Sequence, residues 1–363
     1  LEIIVGSKYL AVEINCALDV KGREHLVVIA KSTWQIPGTG QRPKPLPPQP
    51  IEQSDIFAGD PENSPMLYGS DMARFKPRCD VIFNASAHSP DGLPAREIDV
   101  AWQVGPLRKG LKAHGPRHWK KRLGMVSLSS AEPVTSTPLH FGFALGGSRQ
   151  YKKAFSRADA MLTESHPANP AGIGWYGSRA TDEIDGAPAP SLEALDDPVR
   201  KPHGNQAPIA FSAIARHWLP RPRYGGTYDE HWEEEVFPFL PDDFDEQFHQ
   251  CAPVDQQMPY PVGGEAIVLR NMMAGRPDVR FKLPKLDAVK VQILRHDYSA
   301  DTPEAVADTL YFEPDQMRFS VVWRTCVPIN RRVQEFKTIA VGPVNTEWWH
   351  QKTSGNGGCG NCG

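Results

Sequence analysis

No apolar run in this chain of 363 residues approaches the roughly 20 needed to cross a bilayer; the longest, such as Leu26 to Ala30, are strand-sized. A basic segment followed by an apolar one, the mark of a secretory leader, is missing from the start, although Leu1 in place of Met leaves room for an upstream piece. Charge of one sign is not in excess either. Lys and Arg total 40 against 43 Asp and Glu, a formal net of −3, which argues against a polyphosphate-binding surface, whose affinity rests on clustered basic side chains. Cysteine is sparse: Cys16, Cys79, Cys251 and Cys326 are scattered through apolar or turn contexts, far below the density of secreted disulfide scaffolds. They read as buried free thiols in a reducing compartment. The expectation is a soluble, cytoplasmic protein with neither nucleic acid nor membrane as partner.

Catalytic signatures are missing too. No Gly-x-Ser-x-Gly elbow occurs, and no cysteine sits in a nucleophile context. Gly146-Gly147, Gly225-Gly226 and Gly172-Ile-Gly174 lack the strand-loop-helix order and spacing of phosphate loops, so turns with positive φ account for them better. No catalytic, cofactor-binding or metal-binding residue is expected, and no cofactor.

What the chain has in quantity is 35 prolines and 30 glycines, roughly 18% of its length against an ordinary ~12%. Proline lacks a backbone donor and clashes with the preceding turn, so helices stay short. With 40% hydrophobic residues, the result is a packed, mainly β fold: antiparallel sheets, sandwich- or barrel-like, in two lobes with long loops and a few short helices. Strand patterns cover Glu2–Val5, Leu10–Ile14 and Leu26–Trp34, with a turn at Asp19–Gly22. The proline-rich stretch 37–50 reads as extended and largely without ladder bonds, with PxxP spacing at Pro45/Pro48 and Pro47/Pro50. Asp80–Ala87, the turn Ser89–Gly92 and Arg96–Val104 predict an antiparallel hairpin, with Ile98, Val100, Trp102 and Val104 on its buried face. Ser156–Thr163 predicts a short helix and Asp301–Val306 a helical turn. Further strands are expected over Glu265–Leu269, Val279–Leu283, Ala288–Arg295, Thr309–Phe312 and Arg318–Thr325, the last covered on both faces. The division drawn from this is an N-terminal β lobe over 1–150, a loop-rich connection over 151–207, a C-terminal β lobe over 208–350 and a flexible Gly/Cys tail over 351–363.

Four ordered stretches carry a resemblance. The first holds Asp71, Phe75-Lys76-Pro77, Asp80 and Ala87-His88-Ser-Pro90; the second Gly115-Pro-Arg117, Trp119, Glu132-Pro-Val134 and Ala144-Leu-Gly-Gly147. The third is Asn169-Pro170-Ala-Gly172. The fourth runs Trp218-Leu-Pro-Arg221, Gly226-Thr227-Tyr228-Asp229, Trp232, Leu240-Pro-Asp-Asp243-Phe244-Asp245, Ala252-Pro253, Asp255-Gln256 and Gly263-Gly264-Glu265. Together they resemble the domain of unknown function 2169 family (DUF2169) over nearly the whole chain. Cys79 stands where the family more often has a hydroxyl residue and Leu145 where it has an aromatic. The resemblance implies association with type VI secretion and an adaptor or chaperone role, in which the protein binds an effector or spike-tip protein and helps load it onto the spike. No agreed catalytic motif comes with it.

Several clusters invite a sharper reading. Asp242, Asp243, Asp245 and His249 offer oxygen and nitrogen ligands for a divalent cation and so an alternative as a metal-dependent enzyme; the simpler account is a helix start capped by Asp242 or Asp243, with Phe244 packed inward. A structural spike component is a third possibility. Glu233 to Glu235 read as a solvated face. His88, at the end of a strand, reads as structural rather than as part of a triad with Asp71 or Asp80. Lys109, Lys112, Arg117, Lys120, Lys121 and Arg122 around Trp119 form the clearest basic run, a surface feature or a docking patch for an acidic partner rather than a nucleic-acid groove. Cys359 and Cys362 have the spacing of half a zinc site, and free thiols are the simpler reading. Trp34, Trp102, Trp119, Trp218 and Trp232 are expected to be mostly core.

Overall fold

The computed structural model describes residues 1–152, 161–177, 184–204, 206–287 and 289–354. The fold is mainly β, with several largely antiparallel sheets and no closed barrel among the described residues. The largest sheet has seven strands, in the order Gln257–Met258, Cys79–Phe83, Val306–Glu313, Arg318–Pro328, Glu24–Gln35 and Ala11–Leu18, with Pro45–Leu46 also on Glu24–Gln35. Its inner strands are buried on both faces, so strict alternation is lost: Leu26 to Ala30 is a continuous apolar run, and Phe319 to Trp323, interrupted by Ser320, is buried throughout.

A five-stranded sheet runs Leu192–Glu193, Leu107–His114, Glu97–Val104, Ala266–Arg270 and Asp278–Lys282. Here alternation holds, and Ile98, Val100, Trp102 and Val104 are buried as expected. The two sheets meet in one core where the Phe83 ring lies 4.9 Å from Trp102 and stacks at 5.0 Å on Phe312. Rings of this size bury much apolar area and prefer such offset or tilted contacts. A four-stranded sheet, Glu2–Val5, Phe336–Val341, Val291–Arg295 and Ala300–Asp301, completes the framework. No helix among the described residues is long and apolar enough to cross a membrane.

Pairing corrects several sequence expectations. The sheets do not divide at residues 150 and 208: Glu24–Gln35 pairs with Arg318–Pro328 and Glu97–Val104 with Ala266–Arg270, so early and late strands interleave. Cys79–Phe83 does not form a hairpin with Glu97–Val104; it lies parallel to Val306–Glu313, while Glu97–Val104 turns back on Leu107–His114. Local turn signals say nothing about such distant partners. Asp301–Val306 is not a helical turn, since Asp301 closes one strand and Val306 opens another. The helix expected over Ser156–Thr163 falls mostly outside the described residues, and Met161–Ser165 is strand paired with Ser148–Lys152. Cys16 is exposed rather than buried, Cys326 is half-buried, and Cys79 and Cys251 are core thiols. Gln351 to Thr353 end an α-helix, Thr346–Thr353, rather than begin a tail; Cys359 and Cys362 lie outside the described residues.

Candidate functional site

Three of the family-like positions meet inside the seven-stranded sheet. Lys76, just ahead of Cys79–Phe83, donates from Nζ to Asp80 Oδ2 at 2.9 Å and to Thr309 Oγ1 at 3.0 Å. Asp80, fully buried, also accepts from Gln250 Nε2 at 2.6 Å and from the backbone N–H groups of Cys251 (3.0 Å) and Ala252 (3.2 Å). Burial works against the Lys76 charge, but Asp80 beside it prevails and holds the ammonium above its ordinary pKa. Asp71 accepts from Lys31 Nζ and from the Glu52 backbone, both at 2.9 Å. Arg324, on the face opposite Trp323, pairs with Asp308 at 2.6 Å and reaches the carbonyls of Asp71 and Ala73. Each buried charge therefore has a partner, the condition for a charge to persist out of water.

Other family-like positions serve the same end. Arg221 donates to the Ile214 and Phe248 carbonyls, beside the fully buried Trp218. Gln256 ties Val81 and Phe211, and Lys109 joins it and Asp255. Arg117 pairs with Glu193 at 2.8 Å, and Trp119 donates from Nε1 to the Gly174 carbonyl. Asn169 holds the Phe141 and Leu145 carbonyls through Nδ2, while the Pro170 carbonyl accepts from Ser148. A Cβ at Gly146 would come within 2.2 Å of the Asn169 carbonyl oxygen, so that glycine is required by close approach. Glu265 accepts from the N–H groups of Val262 and Gly263, shaping the turn through Gly264. His88 meets Asp315 at 2.6 Å, and Pro77 is half-buried ahead of its strand.

The acidic turn caps its helix at a different residue from the one the sequence suggests. Asp243 accepts from both the backbone N–H and the hydroxyl of Thr227 at 2.8 Å, which holds its carboxyl below the usual range. Asp245, not Asp242 or Asp243, caps the short 3-10 helix Glu246–His249. His249 is pushed down to about 3 by burial and then by Lys76, Arg324 and Arg221, so it is neutral at physiological pH. No group of three or more His, Cys, Asp or Glu side chains among the described residues is placed to hold a metal ion.

Gly226 to Leu240 form an excursion from the body. Asp229 accepts from the Trp232 N–H at 3.0 Å, at the start of the π-turn Trp232–Val236. Tyr228 and Trp232 meet edge to face at 4.7 Å, and Tyr228, Phe237 and Phe239 are exposed. Beneath lies an apolar trough of about 740 Å³ that includes Leu18, Met72, Tyr228, Leu240, Phe244 and Phe248. It adjoins a polar cavity of about 330 Å³ containing Asp55, Arg216, Arg221 and Cys251, with Met72, Arg216 and His249 in both walls. Arg216 there pairs with Asp55 at 2.7 Å. Burial pushes the Cys251 thiol up to about 12, so it is not a ready nucleophile.

Part of the basic run around Trp119 is tied up within the protein. Lys109, Lys112 and Arg117 are paired with carboxylates, and Trp119 is buried. Trp102 and Trp218 are core as well, whereas Trp34 and Trp232 are half-buried. Sequence reasoning missed Lys31, Glu193, Gln250, Asp308 and the role of Arg324. Charges set within otherwise apolar strands, such as Lys31 after Val27-Val-Ile-Ala30, were the available signal.

Comparison with known proteins supplies one match. A family described as an uncharacterized protein conserved in bacteria (DUF2169) matches residues 21–324. No curated protein and no solved structure matches the chain significantly.

Proposed function

We propose that this chain, which belongs to the DUF2169 family, is a cytoplasmic, non-catalytic adaptor or chaperone of a bacterial type VI secretion system. It binds an effector or spike-tip protein and assists its loading onto the spike. The observation that carries this reading is the division of labour among the family-like residues. Lys76, Asp80, Arg117, Asn169, Trp218, Arg221 and Gln256 are buried and bonded internally, which fits a scaffold. Among those that face outward, Thr227, Tyr228 and Asp229 lie together on the aromatic excursion, and exposed aromatic clusters of this kind suit protein contact.

Affinity capture of the tagged chain from cytoplasm, with and without the neighbouring effector gene, tests the reading. Recovery of an effector or spike protein is expected. Recovery of neither overturns it.

A further inference from the structure

We propose that the outer edge of the strand Ala11–Leu18 receives an extended, basic segment of a partner protein, which adds a strand to the seven-stranded sheet and lies along the acidic excursion. This rests on the adaptor reading and specifies the chemistry of its partner.

The edge is open in a definite pattern. Asp19 N–H donates to the Arg23 carbonyl just beyond the pair Leu18/Glu24. Counting back by twos, Ala17, Asn15, Glu13 and Ala11 exchange bonds with Glu24–Gln35, and the N–H and C=O groups of Leu18, Cys16, Ile14 and Val12 point outward. None of these outward groups has a hydrogen-bond partner among the described residues. Of the edge strands in the three larger sheets it is the longest, at eight residues. Others are blunted in the usual ways. Asp278–Lys282 alternates Asp278, Arg280 and Lys282 and is covered by Thr39 and Gly40, which bond to Asp278 and Arg280. Gln257–Met258 has two residues only. Ala11–Leu18 has one charged side chain, Glu13, and no proline. A row of unpaired main-chain donors and acceptors calls for another main chain.

Charge identifies the kind of strand. No lysine or arginine lies between Arg223 and Arg270, whereas eleven aspartates and glutamates do. Of these, Asp229, Glu230, Glu233, Glu234 and Glu235 are exposed on the excursion beside Tyr228 and Phe237. The excursion is fixed at the end of the open edge. Phe239 packs on the turn after Leu18, where a Cβ on Gly22 would meet its ring at 2.8 Å, and Leu18 shares the trough with Tyr228, Pro238 and Leu240. The trough's own cations are already committed, Arg74 to Glu246 and Arg216 to Asp55. A strand leaving the edge here finds an apolar wall for one side chain and then carboxylates and aromatic faces, which favour lysine and arginine.

Dye-labelled decapeptides of alternating valine and lysine, or of valine and glutamate, titrated by fluorescence anisotropy against the full chain, test the assignment. Saturable binding of the lysine peptide is expected, at least ten-fold tighter than the glutamate peptide and weakening with salt. Cys16→Pro and Ile14→Pro each remove one outward N–H while leaving the inner ladder intact, so the protein stays folded by circular dichroism and binding falls at least ten-fold. Glu233→Gln, Glu234→Gln and Glu235→Gln combined weaken binding and flatten its salt dependence. No binding of the lysine peptide, equal binding of both peptides, or binding unchanged in the folded proline variants overturns the proposal. Dimerisation through the edge, seen by light scattering and lost in Cys16→Pro, overturns it in favour of a second copy as occupant. The peptides contain no secretion component, so their failure and that of the capture experiment are separate results.

Discussion

Lys76 donates to the Asp80 carboxylate at 2.9 Å, and both side chains are sealed from solvent, at 2% and 0% exposure. The pair sits where three distant parts of the chain converge: the Cys79–Phe83 strand, Thr309 on its parallel neighbour, and the Gln250–Ala252 loop. A charge pair whose bonds together reach all three fixes their relation.

Removing one member strands the other. Asp80→Ala leaves a buried ammonium with only Thr309 and a distant thiol, and about 3–5 kcal/mol of stability is expected to be lost. Replacing both, as Lys76→Met with Asp80→Leu, removes the two desolvation costs together. It is expected to be less damaging than Asp80→Ala alone. Urea unfolding of wild type, Asp80→Ala and the double variant checks this, and a double variant as unstable as Asp80→Ala would contradict it.

Gly146 and Asn169 form a second junction. Gly146→Ala forces a Cβ against the Asn169 carbonyl, and Gly172→Ala forces one to within 2.3 Å of Asn169 Nδ2. Each is expected to cost about 1–3 kcal/mol through displaced backbone and the two hydrogen bonds of that amide. Because both act on the same residue, their effects in the double variant are expected to sum to less than additivity predicts. Thermal unfolding in matched buffer is the measurement.

The element types were legible in the sequence and their partners largely were not. Alternation at Ile98, Val100, Trp102 and Val104 reports a half-buried strand because side chains alternate faces by geometry alone. Nothing local marks Cys79–Phe83 as parallel to Val306–Glu313, since that choice is made by packing across more than 200 residues. The buried site was half legible. Lys76 and Asp80 stood out by resemblance, but Lys31, Asp308 and Arg324 become meaningful only once pairing puts them beside Asp71. The open edge at Ala11–Leu18 could not be read, because an edge is a property of the sheet and not of the strand.

Asp243 provides a check on the acidic turn. Its carboxylate closes on Thr227 at an exposed position, so Asp243→Ala is expected to leave global stability little changed and to loosen the Tyr228 excursion. Hydrogen exchange over residues 226–240 should rise while the sheet core stays protected. The metal content of the purified protein is expected to be the same before and after the change. A tightly held metal lost with Asp243 would favour the enzyme reading.

Glu193 links the fold to pH. Burial raises its pKa, but hydrogen bonds from His114 at 2.7 Å and Arg117 at 2.8 Å outweigh that and bring it down to about 2, from an ordinary 4.5. A folded-state pKa below the unfolded one means that the stabilisation is fully present above pH 4.5 and disappears as pH falls towards 2. Discounted for residual solvent, it is on the order of 1–3 kcal/mol. Asp19, held at about 2 by the Arg23 and Lys21 backbone groups and the Arg23 side chain, titrates over a similar range, so the wild-type curve alone cannot assign the effect. Glu193→Gln isolates it. The variant is expected to be less stable than wild type at pH 7, with the gap narrowing between pH 4.5 and 2 as the native carboxylate protonates. Urea midpoints measured across that interval decide the matter, and a gap that stays constant would mean that Glu193 acts there by shape and not by charge.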